Sequence, residues 1–353
     1  MSDLSHIYRD PLFGIAVLIA IIAFAILTDY YRNLHRRRKK EKSLNALVKS
    51  YEHNGYFDGI AEFLKVSKDP IPTLLLLAKG HAQSGDNQQA IKIYLTLITQ
   101  TNDGTQKLEI LEHLGETYFQ AGFLHKSKEI YLEILSNNPR SINALLKIIE
   151  LYEILGEYQN ALDALSCLEE NLENPSQKEK TQITLLQQYL QTLQLLQDHH
   201  KSDAQKAPKL LELLSKQPQL MRLILTHFKT TNLALFWESF PSQNWQNFID
   251  LIWNFSLEQI PQKFVAQSSV IEVFQAKGYY PSKGCSNFGL EIMRLFHQHS
   301  SIKLQLSFSY KCKECLNEFP FDNFRCPTCG ALGIMDLVLK PQQVRHEKNF
   351  SLL

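Results

Sequence analysis

"HLGETYFQAGFLHKSKEIYLEIL", residues 113–135, reads as two amphipathic helical stretches meeting at Gly122. Two other stretches share the pattern: "LAKGHAQSGDNQQAIKIYLTLI" at 77–98 and "KIIELYEILGEYQNALDALSCL" at 147–168. Aligned on Gly85, Gly122 and Gly156, the copies are 37 and 34 residues apart. Five residues after each glycine stands a small residue, Ala90, Ser127 or Ala161. Nine after stands Tyr94, Tyr131 or Leu165. Glycine permits a tight turn between two helices. The small residue lets their backbones approach, and the large one fills the gap to the next unit. Pro139 and Pro175 close the second and third copies. A period near 34 resembles the tetratricopeptide repeat, against the plainer alternative of unstacked helical hairpins. Residues 44–70, around Gly55, read as a degenerate leading copy, so the repeats are expected over 44–175.

From 176 to 305 the spacing stays helical but glycine is absent until Gly278. Divergent helical repeats are expected there, with the Leu, Phe and Trp stripes as core. His199–His200 and the pair His297 and His299 lack partners at ligand spacing and read as exposed polar residues. Cys167 is expected to be buried, and Cys285, in a turn, to be more accessible.

Towards the N-terminus, Leu12–Leu27 carries no charge and no polar side chain. A bilayer core of ~30 Å takes roughly 20 apolar residues, with ~17 as the lower end. Tyr8, Tyr30 and Tyr31 flank the run as interfacial anchors. A buried helix and a signal peptide cleaved near Ala23-Phe24-Ala25 are the competitors. Positive charge mostly follows the run rather than preceding it, which favours an uncleaved anchor. Residues 1–10 then form an extracytoplasmic tip, 11–29 a transmembrane helix and 30–43 a basic juxtamembrane segment. Arg36, Arg37, Arg38, Lys39 and Lys40 would sit at the cytoplasmic membrane surface, against anionic head groups.

Residues 1–42 hold eight Lys/Arg against four Asp/Glu, and residues 43–353 hold 29 against 32. A slightly acidic body lacks the footprint of a nucleic-acid binder. The six cysteines are too few for a secreted disulfide scaffold of this length,.

Four of them lie in "YKCKECLNEFPFDNFRCPTCG", residues 310–330, as Cys312-x2-Cys315-x10-Cys326-x2-Cys329. Each two-residue gap aims two sulfurs at one point while backbone amides face the thiolates. Two such knuckles complete a tetrahedron suited to zinc. Iron is the alternative, followed by disulfides or free thiols. "CPTCG" has the rubredoxin-type proline and glycine, whereas Leu316 stands where the first knuckle would carry glycine. Four thiolates saturate zinc, so the site would be structural. "IKLQLSFSYKC" and "GIMDLVLKP" read as paired strands, placing a small β ribbon over 306–340 and a tail over 341–353. Residues 306–340 carry four basic and four acidic side chains, which disfavours a nucleic-acid grip,. Phe319, Phe321 and Phe324 are candidates to dock the ribbon on helices.

No phosphate-binding glycine loop, nucleophile elbow or His-Glu-x-x-His motif occurs in the sequence,. No enzyme is expected. Counting from the repeat glycines puts Glu109, Glu112, Glu116, Phe119, Glu150 and Glu153 on the first helices of their units. They form either a solvated acidic face or a groove for a basic partner segment.

The fold class expected is mainly α: an N-terminal anchor, a tetratricopeptide-repeat solenoid and a C-terminal β zinc ribbon. This order, with "YKCKECLNEF" and "FRCPTCGALG", resembles the lipopolysaccharide assembly protein B family. The resemblance implies a single-pass bacterial inner-membrane protein whose bulk is cytoplasmic. It implies a metal held by Cys312, Cys315, Cys326 and Cys329. It also implies an adaptor, with a membrane-bound ATP-dependent protease, the lipid A deacetylase and lipopolysaccharide export machinery as partners. An oligomer is compatible with it. A rubredoxin-like redox protein and a nucleic-acid-binding ribbon protein are the alternatives.

Overall fold

The computed structural model describes residues 71–101, 103–262, 269–302 and 304–343, together with Thr28 and Tyr31. The expected tip, the leading repeat around Gly55, the tail from 344 and the five membrane-surface basic residues lie outside the described residues. So do the anchor and juxtamembrane segment, apart from Thr28 and Tyr31. Among the described residues no helix is long and apolar enough to cross a membrane.

The chain divides into two compact units, one running to Leu151 and the other from Tyr152. In the first, helices α1 (Ile71–Gln83), α2 (Asn87–Gln100), α3 (Gly104–Gln120), α4 (Leu124–Asn137) and most of α5 (Ile142–Leu155) follow one another. Each of α1–α4 packs on its neighbour. The hairpin turns repeat one geometry. Gly85, Gly122 and Gly156 have φ of 85°, 79° and 74°. At each turn the residue after the glycine donates its N–H five residues back: Asp86 to His81, Phe123 to Tyr118, Glu157 to Tyr152. This is the Schellman closure, which satisfies a carbonyl that the ending helix leaves open.

The small residues sit where the spacing put them: Ala90, Ser127 and Ala161 are each 0% exposed. Ser127 also donates its Oγ–H to the Gly115 carbonyl at 2.8 Å, pinning α4 to α3. Tyr94, Tyr131 and Leu165 are buried.

The second unit continues with α6 (Tyr158–Asn171), α7 (Gln177–Gln197) and α8 (Asp203–Lys216). Helix α7 opens with a reciprocal cap between Ser176 and Glu179. Cys167 is exposed rather than buried. The buried face of α6 is Ala161, Leu165 and Leu168, and position 167 turns away from it.

Beyond α8 the helices are shorter: α9 (Met221–Thr231), α10 (Leu233–Ser239), α11 (Ile249–Trp253), α12 (Ile271–Ala276) and α13 (Phe288–His299). Pro218, Pro241 and Pro261 punctuate this stretch, and proline does not continue a helix,. The apolar residues gather into a ring cluster instead of a stripe. Phe236 lies 5.3 Å from Trp237 and 5.4 Å from Phe255, at near-perpendicular angles. These residues are core, as the sequence led one to expect.

The ribbon is a three-stranded antiparallel sheet in the order β2 (Glu318–Phe319), β1 (Leu304–Cys312), β3 (Met335–Gln343). Strands β1 and β3 pair along their whole length, Leu304 opposite Gln343 and Cys312 opposite Met335.

Candidate metal centre

Strand β1 ends at Cys312 and delivers it to a turn that returns as β2. In the first knuckle the Cys312 N–H donates to the Asn317 carbonyl and the Leu316 N–H to the Cys312 carbonyl. In the second, the Cys326 N–H donates to the Ala331 carbonyl and the Gly330 N–H to the Cys326 carbonyl. The two knuckles are thus one motif repeated fourteen residues apart. Each needs a left-handed residue just after its second cysteine. Gly330 supplies it at φ 72° and Leu316 at φ 61°. Leucine therefore keeps the turn geometry expected of glycine, at a steric cost of about 1–2 kcal/mol.

The four sulfurs lie within 4.8 Å of one another. Cys312 Sγ is 3.6 Å from Cys329 Sγ, and Cys315 Sγ is 3.6 Å from Cys326 Sγ. A disulfide would need ~2.05 Å. A tetrahedral zinc with ~2.3 Å bonds gives an edge of ~3.8 Å. The cysteines fit a four-thiolate metal. Cys312 and Cys326 are buried, whereas Cys329 is exposed. Amide N–H groups of Cys315 and then Glu314 stabilise the Cys312 thiolate, bringing its pKa down to about 7. Among the described residues this is the one cluster with three or more potential metal ligands.

The ribbon is fastened to its unit at two places. Arg325, next to Cys326, donates from Nε at 2.8 Å and from Nη2 at 2.5 Å to Glu153 Oε2. The Tyr189 hydroxyl donates to Glu153 Oε1 at 3.1 Å. Tyr189 stacks on Phe324, with ring centroids 4.2 Å apart. At the second place the Tyr310 hydroxyl donates to Asp250 Oδ2 at 2.8 Å, and Arg222 Nη1 donates to the same oxygen at 2.7 Å. Of the three ribbon phenylalanines, Phe324 docks and Phe321 is exposed. Burial, then the nearby Glu153 charge, pushes the Tyr189 phenol above its usual range.

Of the six acidic-face candidates, Glu153 is taken by Arg325, its side chain only 8% exposed. The other five belong to the first unit. Glu109 pairs with Lys79 at 3.3 Å. Glu116 and Glu150 lie 2.9 and 3.4 Å from Lys147 Nζ. That ammonium also sits 5.1 Å from the Phe119 ring centroid. Burial opposes the charge on Lys147, yet the two carboxylates hold its pKa above the usual lysine value. Glu112, with Glu116 and Glu150, faces Tyr131, whose phenol burial and these charges push up. Glu112 forms no ion pair among the described residues.

Cys285 is half-buried, and its Sγ lies 3.6 Å from the Glu272 carbonyl. Burial, then Glu272 and Glu291, pushes its thiol up to about 11, the opposite of a reactive cysteine,. Tyr189, Arg222 and Asp250 carry no local signal in the sequence, and Arg325 carries only its adjacency to Cys326.

No protein-family model matches the chain. Over 107 residues it is 24% identical to lipopolysaccharide assembly protein B of Escherichia coli strain K12, a match covering 30% of this chain and 28% of that protein. The protein of Escherichia coli O157:H7 matches with the same figures. The chain thus spans about 28% of the length of the curated relatives it matches. Among solved structures, MamA MSR-1 C2 aligns with a TM-score of 0.33 and 16% identity, covering 51% of this chain and 95% of that one. MamA AMB-1 P212121 aligns with a TM-score of 0.33 and 16% identity, covering 56% and 98%.

Proposed function

We propose that the chain is a membrane-tethered adaptor without catalytic activity, acting at the bacterial inner membrane. In this reading it promotes proteolysis of the lipid A deacetylase by a membrane ATP-dependent protease and so regulates lipopolysaccharide synthesis. Lipopolysaccharide export machinery is a further partner to test. The observation that carries the reading is one chain joining glycine-turn helical hairpins to a four-thiolate ribbon clamped on helices. The limited likeness to lipopolysaccharide assembly protein B supports the choice of partners.

Cys312, Cys315, Cys326 and Cys329 hold structural zinc in this reading. Four thiolates leave no coordination position for water, so the metal supplies rigidity rather than chemistry. The helical hairpins supply surface. The acidic patch of Glu109, Glu112, Glu116 and Glu150 beside Phe119 suits a basic or amphipathic segment of a partner. The expected transmembrane segment 11–29 confines both parts to the membrane and raises the local partner concentration.

Depletion should lengthen the deacetylase half-life and shift the lipopolysaccharide-to-phospholipid balance. Deleting residues 1–30 should impair the same readouts. An unaltered half-life removes the lipopolysaccharide assignment, while crosslinked capture from native membranes tests the adaptor role separately. The left-handed residue in both knuckles also suits rubredoxin-type iron. An absorption spectrum decides, since ferric thiolate is red and zinc is colourless.

A further inference from the structure

The outer face of α1 carries a shallow, mostly apolar groove of about 570 Å³, lined by Thr73, Leu76, Leu77, Gly80, His81 and Ser84. Leu76 is 73% exposed and Leu77 46%. A Cβ added at Gly80 would meet no heavy atom within 4 Å. The opposite face of the helix, Leu74 and Ala78, is already buried. A helix with apolar residues on two faces is built to be covered on both.

The internal repeat identifies the cover. Thr73, Leu77 and Gly80 stand twelve, eight and five residues before Gly85. At the same distances before Gly122 stand Ile110, Leu114 and Thr117 of α3, 1%, 0% and 2% exposed. At the same distances before Gly156 stand Ala144, Ile148 and Leu151 of α5, 0%, 1% and 0% exposed. Ile110 and Leu114 share one core cluster with Ala90, Ile91, Ile93, Tyr94 and Leu97 of α2. The second helix of the preceding hairpin therefore buries this face in α3. Helix α1 has the same face, and the described residues include no hairpin before it.

The chain carries a matching segment next to the groove. Ala90, Ile91, Ile93 and Tyr94 of α2 lie five, six, eight and nine residues after Gly85. At the same distances after Gly55 stand Ile60, Ala61, Phe63 and Leu64, all apolar. Only Lys68, Asp69 and Pro70 separate residues 56–67 from the first residue of α1. Three residues, 101–103, likewise join α2 to α3. Helices joined this closely pack as antiparallel neighbours. A tether of this length also holds the segment at a millimolar effective concentration, which a second molecule has to match.

We propose that residues 56–67 dock as a helix in the α1 groove, with Ile60, Ala61, Phe63 and Leu64 over Thr73, Leu77 and Gly80. Gly55 and Gly85 are 30 residues apart, against 37 and 34 for the next two intervals. The docked helix is accordingly about one turn shorter than α2. It caps the repeat array and withdraws the groove from partners. The docking stands or falls independently of the adaptor reading.

The test uses the purified full-length chain. Hydrogen exchange read by mass spectrometry should find slow amides over 57–67. Leu77→Asp puts a charge in the groove and should speed their exchange at least tenfold, with α3 and α4 changed less than twofold. Leu64→Asp leaves the groove itself intact and should release the segment equally, with circular dichroism as the check that the helices persist. Leu76→Lys should change nothing, because His113 and Lys147 hold that position in the next two units. The photo-crosslinking residue p-benzoylphenylalanine in place of Leu76 should join to 57–67 of the same chain. Fast exchange over 57–67 in the parent overturns the docking, as does unchanged exchange in both Leu77→Asp and Leu64→Asp. A crosslinked pair of chains on a denaturing gel also overturns it, and assigns the groove to a second copy.

Discussion

Glu153 Oε2 lies 2.5 Å from Arg325 Nη2, joining the last turn of α5 to the residue beside Cys326 across 172 positions of sequence. The side chains are 8% and 18% exposed, and the Tyr189 hydroxyl fills the other carboxylate oxygen. A desolvated pair of this kind stabilises chiefly by comparison with its broken form. One partner left alone is a buried charge without compensation.

Glu153→Leu should therefore cost about 3–5 kcal/mol, and Arg325→Leu a similar amount. The double variant should cost clearly less than the two together, because no charge is stranded. Urea unfolding of the four proteins measures this. Additive costs would mean the two groups act independently.

Leu316 is 64% exposed and sits at φ 61°. Its side chain contributes little burial, while its Cβ strains the knuckle. Leu316→Gly removes strain of about 1–2 kcal/mol but frees the unfolded chain by ~0.4–1 kcal/mol. The net expectation is a gain of up to ~1.6 kcal/mol, read as a higher urea midpoint for the ribbon. A lower midpoint would show that the leucine packs on something the turn depends on.

Gly115 lies inside α3, where alanine would ordinarily gain ~1 kcal/mol. A Cβ there would come 2.9 Å from Tyr131 Cε2. Tyr131 is 3% exposed and has little room to retreat. Gly115→Ala should thus destabilise by about 1–3 kcal/mol through overpacking. Adding Tyr131→Leu should recover part of the loss, since the third repeat carries Leu165 at the equivalent position. Thermal melts of the single and double variants decide it. A stabilised Gly115→Ala would mean the ring yields.

The parts legible in the sequence are those whose geometry is local. A glycine at each turn with a small residue five later is a one-hairpin rule, and Gly85, Gly122 and Gly156 obey it. Cys-x-x-Cys is likewise a one-turn rule. The docking was not legible, because Glu153 looks like any acidic residue on a repeat helix until Arg325 arrives beside it. The same holds for Asp250 and Tyr310, 60 positions apart. Over 176–305 helical spacing suggested divergent repeats. Phe236, Trp237 and Phe255 met one another instead, and prolines cut the helices short.

Glu291 ties the start of α13 to the preceding turn. It accepts from Arg294 Nε at 2.8 Å and from the Cys285 N–H at 2.8 Å. The Arg294 guanidinium, then the Cys285 amide, lowers the carboxyl from 4.5 to about 2. A depressed folded pKa stabilises above the unfolded value and loses that stabilisation as pH falls through the folded one. The window runs from about 4.5 down to about 2. Glu291→Gln should therefore lose less stability than the parent between pH 5.5 and 3.5, by urea midpoints at each pH. Equal losses would remove Glu291 as the acid-sensitive group of this corner.

The thiolate set makes the most direct prediction. Cys326 is 1% exposed, and its sulfur lies 3.6 Å from that of Cys315. Serine at this position leaves three thiolates and a poor fourth ligand. Metal affinity should fall by more than the ~100-fold that removal of an outer-shell partner costs. The ribbon's strands span 304–343, too little chain to bury a self-sufficient core, so metal loss should unfold it,. Limited proteolysis of Cys326→Ser should then cut within 304–343, while helical circular dichroism persists. Arg325 would leave with the ribbon, and the buried Glu153 carboxylate would become exposed. Cys167→Ser is the control, because that thiol is exposed and stands outside the cluster. We expect one zinc per parent chain by elemental analysis, one in Cys167→Ser and a small fraction in Cys326→Ser. Full zinc content in Cys326→Ser would refute the four-ligand assignment.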